Sequence, residues 1–253
     1  MTLASLNRWK ASVLHLALSA AVAAAVVTSM LVVWYPQPYF AAMGGDTLML
    51  LLIGVDVVIG PLLTLIVFDP KKKNLRFDLA VIALLQLAAL IYGCHVMFVA
   101  RPVYTVFVVD RFEVVSANAV DADSLTKAGA TGFPTLPLTG PMLIAARKPD
   151  DAKRQSDVAM SALDGGPDLA NLADLYVPYA QFRQDAARIA RPLAELAKRQ
   201  PQEAATIRAF VAASGRAEAT LGYLPLKARN RDMAVVLDNQ SGAVIGIVPV
   251  YPW

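Results

Sequence analysis

The chain has 253 residues but one cysteine, two histidines and only 17% charged residues, and each scarcity excludes something. With Cys94 alone, no internal disulfide can form, so any part facing an oxidising compartment must be held by its own core. No histidine follows His95, and the sequence has no G-x-S-x-G, no phosphate-binding glycine loop and no clustered metal-ligand set. Residues 101–253 therefore lack the usual carriers of hydrolysis, phosphoryl transfer and metal chemistry, and neither catalytic residues, cofactor nor metal is expected. Asp121, Asp123, Asp150 and Asp151 read as helix caps or solvated acids. The formal charge of +3 comes mostly from one basic loop, and acids and bases nearly balance in residues 101–253, which gives no case for nucleic acid as a partner.

What is abundant is apolar sequence: 57% hydrophobic residues and a mean hydropathy of +0.49, outside the range of an ordinary soluble domain. It is concentrated in three blocks, residues 11–34, 47–68 and 79–100, none with an internal Lys or Arg. A hydrocarbon core of ~30 Å needs about 20 helical residues, so each block is long enough to span. The first block resembles a signal peptide at its start, after Arg8 and Lys10. It then continues through Val26, Val27, Leu31, Val32 and Val33 to an interfacial Trp34-Tyr35 pair, which favours an uncleaved anchor.

Basic residues in short loops stay in the cytoplasm. This places the amino terminus and the joint with Lys71, Lys72, Lys73 and Arg76 inside, the latter also a contact for anionic membrane lipid. The joint YPQPYFAAMGGD lies outside, and the third helix leaves the membrane at Arg101 and Pro102. The expected organisation is a three-helix transmembrane domain, residues 1–100, and a periplasmic α+β domain, residues 101–253, on the bacterial inner membrane.

The second block contains a carboxylate. On a helix Asp56, Gly60 and Thr64 share one face, and Pro61 cannot donate to the Val57 carbonyl, so a kink and a free acceptor are expected there. Facing candidates on the third helix are Gln86, Tyr92, Gly93 and His95, with Ala89 and Gly93 at small-xxx-small spacing. Counting ~1.5 Å per residue, Asp56 lies roughly 18 Å from the cytoplasmic end, Tyr92 roughly 20 Å and Gln86 nearer 10 Å, which favours Tyr92 as direct partner. An acid at this depth either locks two helices together, recognises a polar group on another transmembrane helix, or serves as a proton relay or catalytic acid. His15 reads as an interhelical or interfacial histidine. Cys94 and His95 point about 100° apart and cannot share a metal.

Beyond the membrane, residues 102–117 alternate as strand, residues 119–128 suit a short helix, residues 132–141 a loop and residues 142–146 a strand. Helices are expected over residues 150–163, 178–199 with an interruption at Pro192, and 201–213. Strands follow to the end, with a hairpin turn at residues 239–242. This predicts an antiparallel sheet with helices on one face. The apolar, aromatic VPVYPW end is expected to dock.

The runs GVDVVIGPLLTLIVFDPKKKNLRFDLAVIALLQLAALIYG and RPVYTVFVVDRFEVV, the late YLPL and the YPW end together resemble the TfpX/TfpZ family of type IV pilin accessory proteins, to which FimB-like proteins are similar. The likeness covers most of the chain and is strongest over residues 54–115. The family's final triplet is often Arg-Pro-Trp, whereas this chain has Tyr251-Pro252-Trp253, so no role of a terminal arginine carries over. The resemblance implies an inner-membrane, chaperone-like helper in pilus assembly, not itself a fibre subunit, with a type IV major pilin and other pilus-assembly components as partners. Asp56, Gly60 and Pro61 would then shape a groove for the pilin stem. The competing reading is a membrane-anchored periplasmic ligand sensor or regulator, and a weaker one a transferase component acting on envelope glycans or pilin.

Overall fold

A computed structural model describes residues 7–130 and 133–253. The chain divides into two compact units: Met1–Val33 with Gly45–Val99, and Trp34–Gly44 with Ala100–Trp253. The joint, residues 34–44, thus belongs with the carboxy-terminal part and not with the helices it connects.

In the first unit, α1 (Arg8–Ser29) starts where the Asn7 side chain accepts the Lys10 amide at 2.8 Å, and it continues into a π-helical turn, Met30–Trp34. Residues 45–67 are helical in three successive segments: α2 (Gly45–Ile53), a π-helical turn (Gly54–Ile59) and α3 (Gly60–Val67). The last helix of this unit, α4 (Leu75–Val99), stops before Arg101-Pro102, because a proline disfavours helical backbone in the residue before it. Two helices among the described residues are long and apolar enough to cross a membrane, Arg8–Trp34 and Leu75–Val99. The middle block is helical over residues 45–67 with a π-helical turn inside it, and its apolar stretch Gly54–Val67 is shorter than these two. Most side chains of the two long helices are exposed, Leu18, Val32, Leu84, Leu85 and Ile91 among them. An apolar surface of this extent is that of a chain solvated by lipid or by other chains, not by water.

The second unit is built on an eight-stranded sheet: β1 (Pro102–Val108), β2 (Arg111–Ser116), β3 (Met142–Ala146), β4 (Tyr176–Pro178), β5 (Arg191–Pro192), β6 (Leu221–Lys227), β7 (Met233–Asp238) and β8 (Val244–Val248). Its order is β4-β3-β1-β2-β6-β7-β8, with β5 also paired to β6. The sheet is mixed and not antiparallel as the hairpin signals suggested, because β1 pairs with β3 and β2 with β6 in parallel. Both parallel pairs join strands separated by helical excursions, which local alternation cannot report.

Nor are the helices confined to one face. Burial is continuous along β1 and over most of β6 and β7, the mark of strands covered on both sides. Leu221, Tyr223, Ala234 and Val236 pack with Leu193 and Leu196 of α8 (Leu193–Arg199) and Ile207 of α9 (Ala204–Ser214). Their neighbours Leu224, Leu226, Val235 and Leu237 pack with Ala186 of α7 (Arg183–Ile189), with Tyr179 of the 3-10 turn before it and with Ala42 of the joint. The expected helix over residues 178–199 is broken because Arg191-Pro192 runs extended as β5. The two earlier helices, Ala122–Lys127 and Ala152–Leu163, start at Asp121 and Asp151, whose carboxylates accept amides as caps. A loop covers residues 133–141; Gly132, where it was expected to begin, lies outside the described residues.

Buried tyrosines are tied by their hydroxyls, Tyr104 to the Thr135 carbonyl at 3.1 Å, Tyr176 to Ala170 at 2.6 Å and Tyr179 to Gly242 at 2.7 Å. Burial pushes the Tyr179 hydroxyl up to about 12, against the opposing pull of Arg183, so it stays a donor. At the carboxy terminus Val250 is fully buried and the Trp253 indole donates to Asp232 at 2.9 Å, so that end does dock.

Candidate functional site

Within the first unit, α1 and α4 converge on residues 54–64. In a regular helix the Gly60 amide would bond the Asp56 carbonyl. Here it bonds Val55, one residue further back, and this widens the turn. The next amide that could reach Asp56 belongs to Pro61, which has none. The Asp56 carbonyl is therefore left to an outside donor, and Gln86 Nε2 of α4 supplies it at 3.0 Å. Gly60 is what admits this side chain, since a Cβ there would overlap the Gln86 amide.

From the other side, Ser12 Oγ donates to the Pro61 carbonyl at 2.9 Å and His15 Nδ1 meets Thr64 Oγ1 at 2.6 Å. Asp56, Gly60 and Thr64, which share one face, are all buried, and so is Pro61. Gln86 joins them, whereas Tyr92, the partner favoured by depth, is 71% exposed, and Gly93 is only half-buried. Depth counting assumes a straight α-helix, and the π-helical turn breaks that assumption. The sequence left His15 as interhelical or interfacial, and here it bridges helices; Ser12 was missed, and its position one helical turn before His15 was the available signal.

Both α1 and α4 pack against residues 54–67, with no comparable contact between the two. A cavity of about 250 Å³ lies between them, lined by His15, Ser19 and Ala23 of α1, by Asp56, and by Gln86 and Leu90 of α4. Asp56 Oδ1 and Gln86 Oε1 are buried with no hydrogen-bond partner among the described residues.

The second unit has a separate polar cleft of about 400 Å³ lined by Met43, Glu113, Ser116, Asn118, Lys227 and Arg229. Its acid is already committed, since Glu113 accepts Arg111 Nε at 2.8 Å and faces Lys227 Nζ at 3.5 Å. Arg101, read as the membrane exit, is buried and donates through Nε and Nη2 to the Pro137 carbonyl at 3.3 and 3.0 Å, while Pro102 opens β1. Burial lowers the Arg101 pKa, opposed by the nearby Tyr35 hydroxyl. Among the described residues no group of three or more His, Cys, Asp or Glu could hold a metal ion.

Two proteins of Dichelobacter nodosus, named fimbrial assembly protein of serogroup I and of serogroup E1, are 37% and 36% identical to this chain over 188 residues, or 74% of this chain and 72% of each relative. The chain belongs to the FimB family of fimbrial assembly proteins. The family model, "Fimbrial assembly protein FimB", matches residues 5–44. A third FimB-family relative from the same organism, named for serogroups C1 and C2, is 40% identical over 121 residues, 47% of this chain and 92% of its own length. No solved structure matches. The FimB-like resemblance read from the sequence is thereby met, although its strongest motifs lay over residues 54–115 and the family model matches α1 and the joint after it.

Proposed function

We propose that this chain is a non-catalytic inner-membrane protein that binds a type IV pilin and assists its assembly, stability or surface display. The observation that carries the reading is its kinship, over most of its length, with proteins named for fimbrial assembly.

Its topology is three spans with the amino terminus cytoplasmic and residues 100–253 periplasmic. Packing within the second unit supports this: the Ala42 carbonyl accepts the amides of Asn230 and Arg231 at 2.9 and 3.2 Å, and Tyr39 Oη meets Thr105 Oγ1 at 2.8 Å. Residues 34–44 and 100–253 then lie on one side of the bilayer, and the chain between them must cross an even number of times. Since α4 crosses once, residues 45–67 supply the other crossing, and their length of about 34 Å at 1.5 Å per residue suffices. Asp56, Gly60 and Pro61 then sit inside the bilayer, where they shape a surface for a pilin's apolar stem while the periplasmic unit holds or shields its head.

The test compares total cellular pilin with sheared surface pilin in a deletion strain complemented with wild type or Asp56→Ala. Surface pilin is expected to fall on deletion and to return only with wild type; a fall in total pilin as well would place the step at pilin stabilisation. No change in either quantity on deletion would overturn the reading.

A further inference from the structure

The space between α1 and α4 is a groove with apolar walls, Leu18 and Val22 on one side and Leu87 and Leu90 on the other, and an acid in its floor. Asp56 is 7% exposed, yet its Oδ1 has no donor among the described residues, and neither has the Oε1 of Gln86, which lines the same groove. Two unpartnered acceptors lining one apolar groove are costly, and the cost falls most when the missing donor also carries positive charge.

This protein's own parts do not supply such a donor. Its apolar blocks contain no Lys or Arg, so a second copy packed in the groove brings no ammonium or guanidinium to this level. His15 Nδ1 is engaged with Thr64, and no donor among the described residues, His15 Nε2 included, reaches Asp56 Oδ1. Asp56 lies near the middle of residues 45–67, roughly 16 Å from either end, beyond the reach of lipid headgroups, and an acyl chain fills space without donating.

We propose that the groove between α1 and α4 binds a single transmembrane helix of another protein, which brings a cationic nitrogen, ammonium or guanidinium, to Asp56 Oδ1 and Gln86 Oε1. The inference rests on the proposed membrane setting and deepens the pilin-binding reading, but it does not require pilin to be the partner.

A photo-crosslinking residue is placed at Leu18 or Leu87, in the groove walls, or at Leu84, which is exposed but does not line the groove. Full-length protein is crosslinked in its native membrane and the adducts are sequenced. Leu18 and Leu87 are expected to trap the same helix, with a Lys, an Arg or a free amino terminus within one turn of the crosslinked residue, and Leu84 is expected not to trap it. Asp56→Leu should lower adduct yield about tenfold or more at unchanged protein level. Should that variant fail to accumulate, Leu87→Trp with the crosslinker at Leu18 narrows the groove from an exposed position and should give the same loss. Replacing the partner's cation by Gln should lower the yield similarly. Adducts only with lipid or a second copy, a partner helix with no cationic nitrogen in that turn, or undiminished adducts in these variants would overturn the proposal. A groove adduct in a strain whose surface pilin is indifferent to deletion would refute the pilin reading and leave this site standing.

Discussion

A side chain at position 60 would occupy the space now held by the Gln86 amide, so Gly60 and Gln86 are halves of one contact. Gly60→Ala should expel the amide from the Asp56 carbonyl and lower stability by about 0.6–1.7 kcal/mol, the range of hydrogen bonds between membrane helices. Gln86→Ala should cost a similar amount, and the double variant little more than either alone, as measured by unfolding in detergent. Strict additivity would mean that the two residues act separately. The buried face of Asp56, Gly60 and Thr64 was legible in the sequence because i, i+4 spacing survives small distortions. The choice of Gln86 over Tyr92 was not, because it depends on a shifted backbone bond, Gly60 to Val55, that no side-chain pattern records.

At the level of elements, the β7–β8 hairpin is latched by its own acid. Asp238 accepts the Ser241 amide and hydroxyl, each at 2.8 Å, the Gln240 amide at 3.1 Å and the Arg216 guanidinium at 2.8 Å. The Ser241 bonds are the chief cause that holds its pKa below the ordinary carboxylate value. A depressed acid stabilises the fold above the unfolded-state pKa, and that stabilisation is lost as pH falls through the folded-state value. The denaturant midpoint of wild type should therefore drop more than that of Asp238→Asn when pH is lowered from 7 to below the ordinary carboxylate pKa; equal drops would show that the latch is not titrating. In the same turn Gly242 has a φ of +65°, and a Cβ there would run into the Arg183 carbonyl, whereas one at Gly165, with φ +79°, meets nothing within 4 Å. Gly165→Ala should cost about 1–2 kcal/mol of backbone strain and Gly242→Ala clearly more, read from the same unfolding curves. This hairpin was legible from the Asn239-to-Gly242 turn between two alternating runs. The parallel pairings were not, because they join β1 to β3 and β2 to β6 across intervening helices that carry no signal of register.

At the level of the whole molecule, the assignment of residues 34–44 to the second unit makes topology testable from both sides. In a Cys94→Ala background, cysteines at Gln37 and Ser241 should react with a membrane-impermeant thiol reagent added to the periplasmic face, and one at Lys72 only after the inner membrane is opened. Labelling of Lys72→Cys in intact cells would remove the second crossing and, with it, the bilayer setting of Asp56. Composition and loop charge pointed to this layout. They could not show that the joint is structural, because the donors to its Ala42 carbonyl lie nearly two hundred positions later.

That distance has a consequence for biogenesis. The Ala42 carbonyl finds its donors only at Asn230 and Arg231, and β2 finds its parallel neighbour only at β6. On the proposed topology a nascent chain would export the joint early and leave the Ala42 carbonyl unsatisfied until nearly the whole sequence had crossed. Until β6 and β7 arrive, Phe112 and Ala42 lack the strands that cover them, so the interval between insertion of α4 and release of the finished chain is when this protein is most open to proteolysis.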